Sequence, residues 1–482
     1  MADMYDVAVI GSGFGGSVAA LRAAQAGKRV VVLEQGRRLS PADLQAGAAK
    51  PMALLWEPAL GLRGYFRQKV LRHVMVVGGV GVGGGSIVYA AVLLKPSEFS
   101  GAWTRTGVDW ATELAPHYER AALMLGREVN PQWGVQDDWL QAASQQLGAG
   151  DTFGKTPQGI RFADCVACGQ CITGCPHGAK EFRYLPEAEA LGAEVRPVTK
   201  AEILVPLADG WRVVTRNPFS GAVSSVEARE VVLAAGVLGT VELLLACRDK
   251  WATLPDLPAS LGRKVRTNSE AFAAILHPAG TDVTEGATIS SDFYPDPKTH
   301  VTNNRFPASY GFMRYYLAPV PGEGASRRRA TLTSLLRDPR GFTANLWTRD
   351  WHKRVTILTV MQNADNELAL EWRGGRMRSL VPAGVDPVPV SLPQADAAGR
   401  AVAQVSGGRA YTTVLESVFG IVATAHILGG AVLGEVVDAQ QRVPAYPGLR
   451  IMDGSVVPEN IGVNPSWTIT ALAERACAKW LG

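Results

Sequence analysis

Hydrophobic and polar positions follow one another in blocks at the start of the chain, in the order of a strand, a helix and a second strand. The continuous apolar run from Tyr5 to Ile10 predicts a strand that is buried on both faces. The alanine-rich stretch from Ser17 to Ala26 predicts a helix that ends at Gly27, and Arg29 to Leu33 predicts a second buried strand. These elements form one βαβ unit, the building block of a parallel sheet.

Similar patterns return later in the chain, on both sides of a long region of a different kind. Residues 230–235 predict another buried strand, 240–247 predict a leucine-rich helix, and a last helix follows Asn464. Between them, from about Phe272 to Phe419, aromatic and β-branched residues alternate with turn residues, which is typical of an antiparallel sheet. The chain is therefore predicted to contain a nucleotide-binding domain made of separate pieces, with a second domain inserted between them.

The predicted fold class is α/β, with a discontinuous Rossmann-type domain and an inserted antiparallel-sheet α+β domain that caps the substrate pocket. The predicted bounds of the Rossmann-type domain are residues 1–98, 196–272 and 428–482. Residues 99–195 and 273–427 are assigned to the substrate or cap domain, which includes a cysteine-rich loop at 160–182.

The overall charge is mild and narrows the classes of partner. The 482 residues carry 48 basic and 44 acidic side chains, a formal net charge of +4, which does not favour nucleic acid. No signal-peptide pattern and no run of about 18 apolar residues is visible, so we expect a cytoplasmic protein without a transmembrane segment. Thiols stay reduced in the cytoplasm, so the six cysteines are expected to be free, catalytic or metal-bound.

One segment departs from this mild charge. Between Arg327 and Arg354 the chain carries seven arginines together with Trp347 and Trp351. Peripheral contact with a membrane surface is one interpretation. A solvated basic face with aromatic contacts to the core is the favoured one, because the whole chain is only weakly basic.

The first glycine-rich loop has the spacing of a dinucleotide-binding turn. Gly11, Gly13 and Gly16 fit the pattern G-x-G-x-x-G, directly after the first predicted strand and at the start of the helix. The first glycine permits the tight turn, the second lets the backbone approach a pyrophosphate, and the third lets the helix lie close to the strand. Glu34 ends the second strand at the spacing expected for an acid that binds the adenosine ribose, which argues against a 2′-phosphate. FAD and NAD both fit at this point.

A second glycine run, from Val80 to Ser86, is too rich in glycine for a strand and too apolar for a linker. Such a run suits backbone that packs flat against a large planar cofactor, although an ordinary glycine-rich turn is the alternative.

Four blocks in this order resemble the glucose–methanol–choline (GMC) FAD oxidoreductase family, in particular its cholesterol-oxidase-like branch. The blocks are the Gly11 loop, the run 81–86, the segment 233–236, and a C-terminal part that contains 426–430, 453–455 and 462–465. The resemblance implies a flavoprotein that oxidises an alcohol CH–OH group with FAD. The motif blocks offer no obvious attachment residue, and His73 upstream of the second glycine run is only weak evidence for one, so we expect the FAD to be bound non-covalently. It says nothing about most of residues 273–425, where the substrate should be selected.

The resemblance also implies roles for individual residues. The cofactor-binding residues that it implies are Gly11, Gly13, Gly16, Glu34, Gly84, Gly85, Ser86, Ala201, Asp453, Gly454 and Pro465. His426 matches the active-site histidine of the family, and Asn464 matches the residue on the other side of the substrate hydroxyl. Tyr89 departs from the family pattern, and the additional glutamate base of cholesterol oxidases has only Glu270 as a candidate.

The chemistry of the two candidate catalytic residues agrees with this assignment. Oxidation of an alcohol requires loss of the hydroxyl proton and of a hydride, and a neutral histidine such as His426 can accept or orient that proton. The amide of Asn464 can fix the substrate oxygen or the flavin edge. Asn464 is equally suited to be the N-cap of a helix that starts at Pro465.

The four clustered cysteines have the spacing of a bacterial ferredoxin. Cys165, Cys168, Cys171 and Cys175 follow the pattern C-x2-C-x2-C-x3-C-P, which favours an iron–sulfur cluster, either 4Fe–4S or 3Fe–4S. A zinc site, a disulfide and a loop of free thiols are the alternatives. The fourth ligand is open between Cys175, Cys247 and Cys477, the last two of which lie outside this run.

We therefore expect an enzyme that takes hydride from a small-molecule alcohol, preferably a sterol-like or other apolar one. Its electrons would pass through the cluster to a one-electron acceptor protein or a quinone. The alternatives are flavin-dependent C–C dehydrogenation of a steroid-like ketone, and a non-catalytic module that transfers electrons through flavin and cluster.

Overall fold

The first layer of the molecule is a mainly parallel sheet. In the computed structural model, which describes residues 4–321 and 327–482, seven strands form this sheet. From one edge to the other they are Glu194–Arg196, Val30–Leu33, Tyr5–Ile10, Val223–Leu233, Gly210–Arg216 and Lys200–Leu207, with Leu449–Ile451 also paired to Val223–Leu233. The central pairs are parallel, and the last two strands form an antiparallel meander.

Apolar side chains on both faces of this sheet explain why it needs helices on either side. Tyr5–Ile10 pairs in parallel with both Val30–Leu33 and Val223–Leu233, and its residues are almost entirely buried. The helices that cover the two faces include Phe14–Gln25, Gly236–Asp249 and Ser466–Leu481, whose buried residues join the same core.

The second layer is an antiparallel sheet. Its strands, from edge to edge, are Leu317–Pro319, Arg409–Thr413, Ala271–Leu276, Val355–Gln362, Thr299–Asn304, Ser291–Asp296 and Gly154–Lys155. Every pair in it is antiparallel. One face of this sheet packs on Val135–Gln146 and Pro393–Ser406, which bury a mainly alanine and leucine surface against it.

In the described part of the region 272–419, three helices of nine or more residues are not predicted by its alternating pattern. They are Arg327–Arg337, Pro339–Trp347 and Pro393–Ser406. In the first two, arginines and threonines obscure the helical repeat of the few apolar residues. Trp351 lies in the core, as the favoured interpretation of the basic segment expects, whereas the side chain of Trp347 is 82% exposed.

The predicted fold class is confirmed by this combination of a Rossmann-type unit and an antiparallel-sheet unit. The residue bounds of the two domains stay a prediction. Two helices from the segment assigned to the cap domain, Trp110–Met124 and Tyr184–Ala190, place their buried side chains in the core of the parallel-sheet unit.

A small three-stranded sheet links the two units. Val422–Thr424 pairs in parallel with Val74–Gly79, which pairs in antiparallel fashion with Phe66–Val70. The end of Val74–Gly79 leads into the second glycine run, and the end of Val422–Thr424 leads into His426. This pairing therefore brings two distant sequence blocks to one place.

Shorter elements complete the chain. The remaining helices are Pro41–Ala49, Pro51–Leu54, Gly85–Val88 and Val414–Ser417, and the remaining strands are Trp56–Glu57, Leu62–Arg63, Arg127–Val129, Pro157–Gly159, Ala369–Arg373 and Arg376–Leu380. Within the described residues, no helix combines the length and the apolar character that crossing a membrane requires.

Candidate active site

One cavity of about 540 Å³ runs between the parallel-sheet unit and the antiparallel sheet. Its volume is within the range of ligand pockets, about 300–1,000 Å³. The predicted site residues that line it are Gly11, Gly13, Glu34, Gly84, Gly85, Ala201, His426, Asp453, Gly454, Asn464 and Pro465. Gly16 and Ser86 do not line it.

The glycine loop at one end of the cavity requires glycine for steric reasons. Gly11 has φ +99°, and a Cβ there would lie 2.3 Å from the carbonyl oxygen of Ala234. A Cβ on Gly16 would lie 2.0 Å from the carbonyl oxygen of Gly11, so Gly16 allows the helix to pack on the strand. Gly13 is the N-cap of helix Phe14–Gln25, which opens towards the cavity. This is the geometry of an anion-binding helix N-terminus.

Glu34 is held by the same loop. Its Oε2 accepts hydrogen bonds from the Ser12 amide (3.2 Å) and the Ser12 hydroxyl (2.7 Å), and its Oε1 accepts one from the Gly36 amide (2.9 Å). Burial raises the pKa of Glu34, while these donors act in the opposite direction. Ser12, which the glycine pattern gave no reason to select, therefore ties the acid to the loop.

The second glycine run packs against the first loop. A Cβ on Gly84 would lie 2.9 Å from the Cα of Gly13, and the amide of Gly83 donates to the Ser12 hydroxyl at 2.9 Å. The hydroxyl of Ser86 donates to the carbonyl of Gly83 at 2.8 Å. The glycines of this run are thus needed for contact between two backbone segments, and Gly84 and Gly85 are also left facing the cavity.

Asp453 joins two of the sequence blocks. Its Oδ2 accepts from the Gly236 amide (3.0 Å) and the Thr240 hydroxyl (2.5 Å), and its Oδ1 accepts from the amide and hydroxyl of Ser455 (2.9 and 2.6 Å). Burial raises its pKa against the effect of these donors. The neighbouring Gly454 starts a short 3-10 turn at the cavity wall.

The remaining cofactor candidates line the cavity from other elements. Ala201 lies on strand Lys200–Leu207, next to an irregularity in its pairing. Pro465 precedes helix Ser466–Leu481 and is its N-cap. Asn464 is therefore not the N-cap, and its side chain is free to act in the cavity.

His426 lies between a carboxylate and an amide. Its Nδ1 is 3.1 Å from Oε2 of Glu270, and its Nε2 is 3.0 Å from Nδ2 of Asn464. An ionised carboxylate only accepts hydrogen bonds, so Nδ1 carries the hydrogen of the neutral ring and donates to Glu270, and the lone pair of Nε2 accepts from Nδ2 of Asn464. The Oδ1 atom of Asn464 is buried without a partner among the described residues.

Glu270 is fixed by more than the histidine. Its Oε2 also accepts from the Thr424 hydroxyl and the Ala425 amide, both at 2.8 Å, and its side chain is 1% exposed. Glu270 was only a weak sequence candidate for a base. In the structure it lines the cavity on the far side of the imidazole from Asn464.

The backbone just before Glu270 adopts an unusual conformation. Asn268 and Ser269 have φ of 59° and 44°, and Oδ1 of Asn268 accepts from the amides of Ile461 and Gly462. One short segment thus holds both Glu270 and the loop that carries Asn464. No sequence motif marks Asn268, although Asn is one of the residues that tolerates the left-handed region.

The other end of the cavity is apolar. The side chains there come from the antiparallel-sheet unit and from the three-stranded sheet, and include Phe66, Met75, Ile172, Phe272, Ile289, Phe306, Tyr310, Phe312, Met313, Tyr316, Leu317 and Ile357. No motif in the sequence indicated these residues, because they are scattered over strands and turns.

The four clustered cysteines face a second, small cavity. Cys165, Cys168, Cys171 and Cys175 are free and line it together with Lys180. Cys247 and Cys477 are buried in the core of the parallel-sheet unit, which removes them as a fourth ligand. Among residues 4–321 and 327–482, no three histidine, cysteine or acidic side chains converge closely enough to hold a single metal ion.

The sequence segments that form this site match models of a known protein family. Two GMC oxidoreductase family models match the chain, one at residues 8–247 and the other at 348–473. These two segments include the predicted catalytic residues His426 and Asn464, the predicted cofactor-binding residues and the four clustered cysteines, whereas Glu270 lies between them. The chain belongs to the GMC oxidoreductase family.

Within this family, the chain is similar to cholesterol oxidases. It is 36% identical to a cholesterol oxidase of Mycobacterium tuberculosis, over 99% of this chain and 91% of that protein. It is 35% identical to a cholesterol oxidase of Acinetobacter baumannii, over 98% of this chain and 93% of that protein. Pyridoxine 4-oxidase from Mesorbium loti shares the fold, with a TM-score of 0.64 and 16% identity over 98% of this chain and 99% of that one.

Proposed function

We propose that this GMC oxidoreductase oxidises an apolar alcohol with non-covalently bound FAD. The observation that carries the proposal is the arrangement of Glu270, His426 and Asn464 at the boundary between the glycine-lined and the apolar part of one cavity. The 35–36% identity to two cholesterol oxidases supports the same class of reaction.

The residues of the cavity fit FAD. Gly11 and Gly84 leave open backbone where a Cβ would collide with a neighbouring segment, and helix Phe14–Gln25 presents its N-terminus to a pyrophosphate. Gly13, Gly16, Glu34, Gly85, Ser86, Ala201, Asp453, Gly454 and Pro465 would complete the binding site. His73, a conceivable covalent attachment point, bonds to Ser379 and does not line the cavity.

The protein groups would handle the proton of the substrate. When bound, FAD would supply the hydride acceptor. The substrate hydroxyl would donate to Nε2 of His426 and accept from Nδ2 of Asn464, taking the place of the direct contact between these two side chains. Glu270 keeps the Nδ1 hydrogen in place and stabilises the imidazole when it gains the second proton.

The apolar end of the cavity would choose the substrate. Its walls are mainly aromatic and aliphatic, and the polar residues among them are Arg67, Gln68, Asn304, Thr359 and Thr413. A hydroxyl on a large apolar body is the ligand that suits such walls. A bound apolar substrate would displace water from this part of the cavity and so strengthen the electrostatic contacts around His426. A sterol-like alcohol is the class that we favour.

Anaerobic reduction of the purified yellow protein tests this proposal. In a panel of sterols, terpenols, alkanols and glycosides, the apolar alcohols should bleach the flavin fastest. Acid precipitation of the protein should release the flavin into the supernatant. Bleaching by steroid ketones alone would instead indicate C–C dehydrogenation. Failure of every alcohol and ketone would leave only the electron-transfer module and would contradict the proposal.

Replacement of His426 gives the second arm of this test. His426→Ala should keep FAD bound and slow flavin reduction by about 10²–10⁴-fold, the usual contribution of general acid–base catalysis. Loss of bound FAD without a specific rate defect would show that the histidine is structural.

A further inference from the structure

The loop around Cys165, Cys168, Cys171 and Cys175 is a second site that alcohol oxidation does not require. We propose that these four thiolates bind a 4Fe–4S cluster, which carries electrons one at a time from the cofactor cavity to an acceptor protein at the surface. The relay role rests on the proposed flavin function, whereas the cluster site does not.

The loop is wound around its own cavity. All four cysteines line one small cavity, and the backbone turns back on itself at Ala167, Gly169, Gly174 and Gly178, which have φ between 55° and 86°. Such turns let successive amides face a common centre, as they do in many anion and iron–sulfur sites. The sequence pattern of a bacterial ferredoxin therefore coincides with a convergent geometry.

The loop also accepts hydrogen bonds from two separate parts of the chain. The Gly286 amide donates to the carbonyl of Ala167, and the Thr288 hydroxyl donates to that of Gly169, both at 2.8 Å. From the other side, the hydroxyl of Tyr65 donates to the carbonyl of Thr173 at 2.7 Å. These hydrogen bonds from outside the loop hold its backbone in one conformation.

The positive charge of Lys180 beside the loop favours a negatively charged group in the cavity. The ammonium of Lys180 contacts the carbonyls of Ile87, Tyr89 and Cys171 and lies over the Tyr89 ring. Within the described residues no carboxylate is within ion-pair distance of it. A cation withdrawn from water without a counter-charge is unfavourable, and a cluster held by four thiolates is anionic.

The spacing of the thiols favours a cluster over the other occupants. Structural zinc sites usually take cysteine pairs from two separate knuckles, whereas Cys165, Cys168, Cys171 and Cys175 all come from one short run, which fits zinc less well. The cysteines are free, so no disulfide accounts for them. The run has the ferredoxin spacing, and Cys175 lines the same cavity as the other three cysteines, so it can supply the fourth ligand that a four-iron cluster needs.

The position of the loop fits a relay. Ile172, next to Cys171, lines the large cavity, and so does Tyr89, which packs against Phe14 of the glycine loop. At the opposite side of the loop, Val166 is 58% exposed between Cys165 and the next cysteine. The cluster would therefore lie between the cofactor cavity and solvent.

The electrons balance in such a relay. Oxidation of one alcohol delivers two electrons and one proton to the flavin as a hydride, and the hydroxyl proton goes to His426. The cluster takes the two electrons in two successive steps and passes each to one molecule of a one-electron acceptor protein. Two acceptors are reduced, and both protons are released to solvent.

Metal and sulfide analysis of anaerobically purified protein tests the site directly. We expect about four iron and four sulfide per chain, an electron paramagnetic resonance signal after reduction by dithionite, and no stoichiometric zinc. Zinc, or neither iron nor sulfide, would overturn the proposal even if apolar alcohols bleach the flavin. Iron and sulfide without any bleaching would instead overturn the proposed alcohol oxidation and the relay with it.

A double variant, Cys168→Ser with Cys171→Ser, separates the relay from the hydride step. It should lose iron and reduce a one-electron dye at least about ten times more slowly than wild type, while alcohol still bleaches its flavin. Cys247→Ala, which removes a thiol outside the loop, should change neither iron content nor dye reduction. Unchanged dye reduction in the iron-free double variant would refute the relay.

Discussion

Glu270 is the residue whose role depends most on the folded structure. It is separated from His426 by 156 positions in sequence, yet its Oε2 lies 3.1 Å from the ring. The same oxygen accepts two further hydrogen bonds, so its negative charge is held in one place against Nδ1. We therefore regard Glu270 as a positioning residue for His426 rather than as a second base.

Glu270→Gln should leave FAD bound but slow anaerobic flavin reduction by about 10–100-fold, because the amide can no longer stabilise the charged imidazole. Stopped-flow measurement of flavin bleaching with the best alcohol would show this, with little change in the alcohol concentration needed for half-maximal rate. Glu416→Gln is the matched control, since Glu416 is equally buried but does not line the cavity. Equal losses in both variants would mean that the cavity is merely destabilised.

The glycine loop shows how an element depends on one backbone conformation. Gly11 and Gly27 both have positive φ, but only Gly11 lies against another backbone segment. At Gly27 a Cβ would meet no atom within 4 Å, because that glycine ends the helix at the surface. A side chain at Gly27 would lose stability only through the positive φ, whereas one at Gly11 would also collide with the carbonyl of Ala234. Comparing the two positions therefore separates these two effects on stability.

Gly11→Ala should therefore prevent FAD binding or yield insoluble protein, because its Cβ would overlap the carbonyl of Ala234. Gly27→Ala should fold, bind FAD and lose only about 1 kcal/mol of unfolding free energy, the ordinary cost of a side chain at positive φ. Flavin content per chain and urea denaturation of both variants measure this difference. Normal flavin content in Gly11→Ala would contradict the assignment of the loop.

Stability of the whole molecule should depend on pH through a buried acid. Burial raises the pKa of Glu416 to about 8 from an ordinary value of 4.5. The folded state thus keeps its proton where the unfolded state loses it, so the contribution to stability is complete below pH 4.5 and is lost as the pH rises to about 8.

The thermal midpoint of wild type should therefore fall relative to that of Glu416→Gln as the pH rises from 5 to 8. Above pH 8 the difference between the two midpoints should stay constant. At pH 5 the amide and the protonated acid should differ least. Thermal unfolding at a series of pH values, in a buffer of constant ionic strength, provides the comparison. A difference that does not change with pH would show that Glu416 ionises normally.

Much of the fold was accessible from the sequence because its signals are local. The apolar runs, the spacing of Gly11, Gly13 and Gly16, and the acid at Glu34 describe one continuous βαβ unit, in which sterics between near neighbours decide the backbone. The basic helices after Arg327 were missed, since their few apolar residues give a weak repeat. The domain bounds stay a prediction.

The candidate site likewise has some features that local sequence signals predict and others that they do not. His426, Asn464 and the cysteine spacing could be selected from sequence, because each belongs to a compact motif whose residues act within one turn or loop. The contact of Glu270 with His426, the apolar walls of the cavity and the place of the cysteine loop between cavity and surface could not. These depend on how separate strands pack, and packing brings together residues whose distance along the chain carries no information about their distance in space.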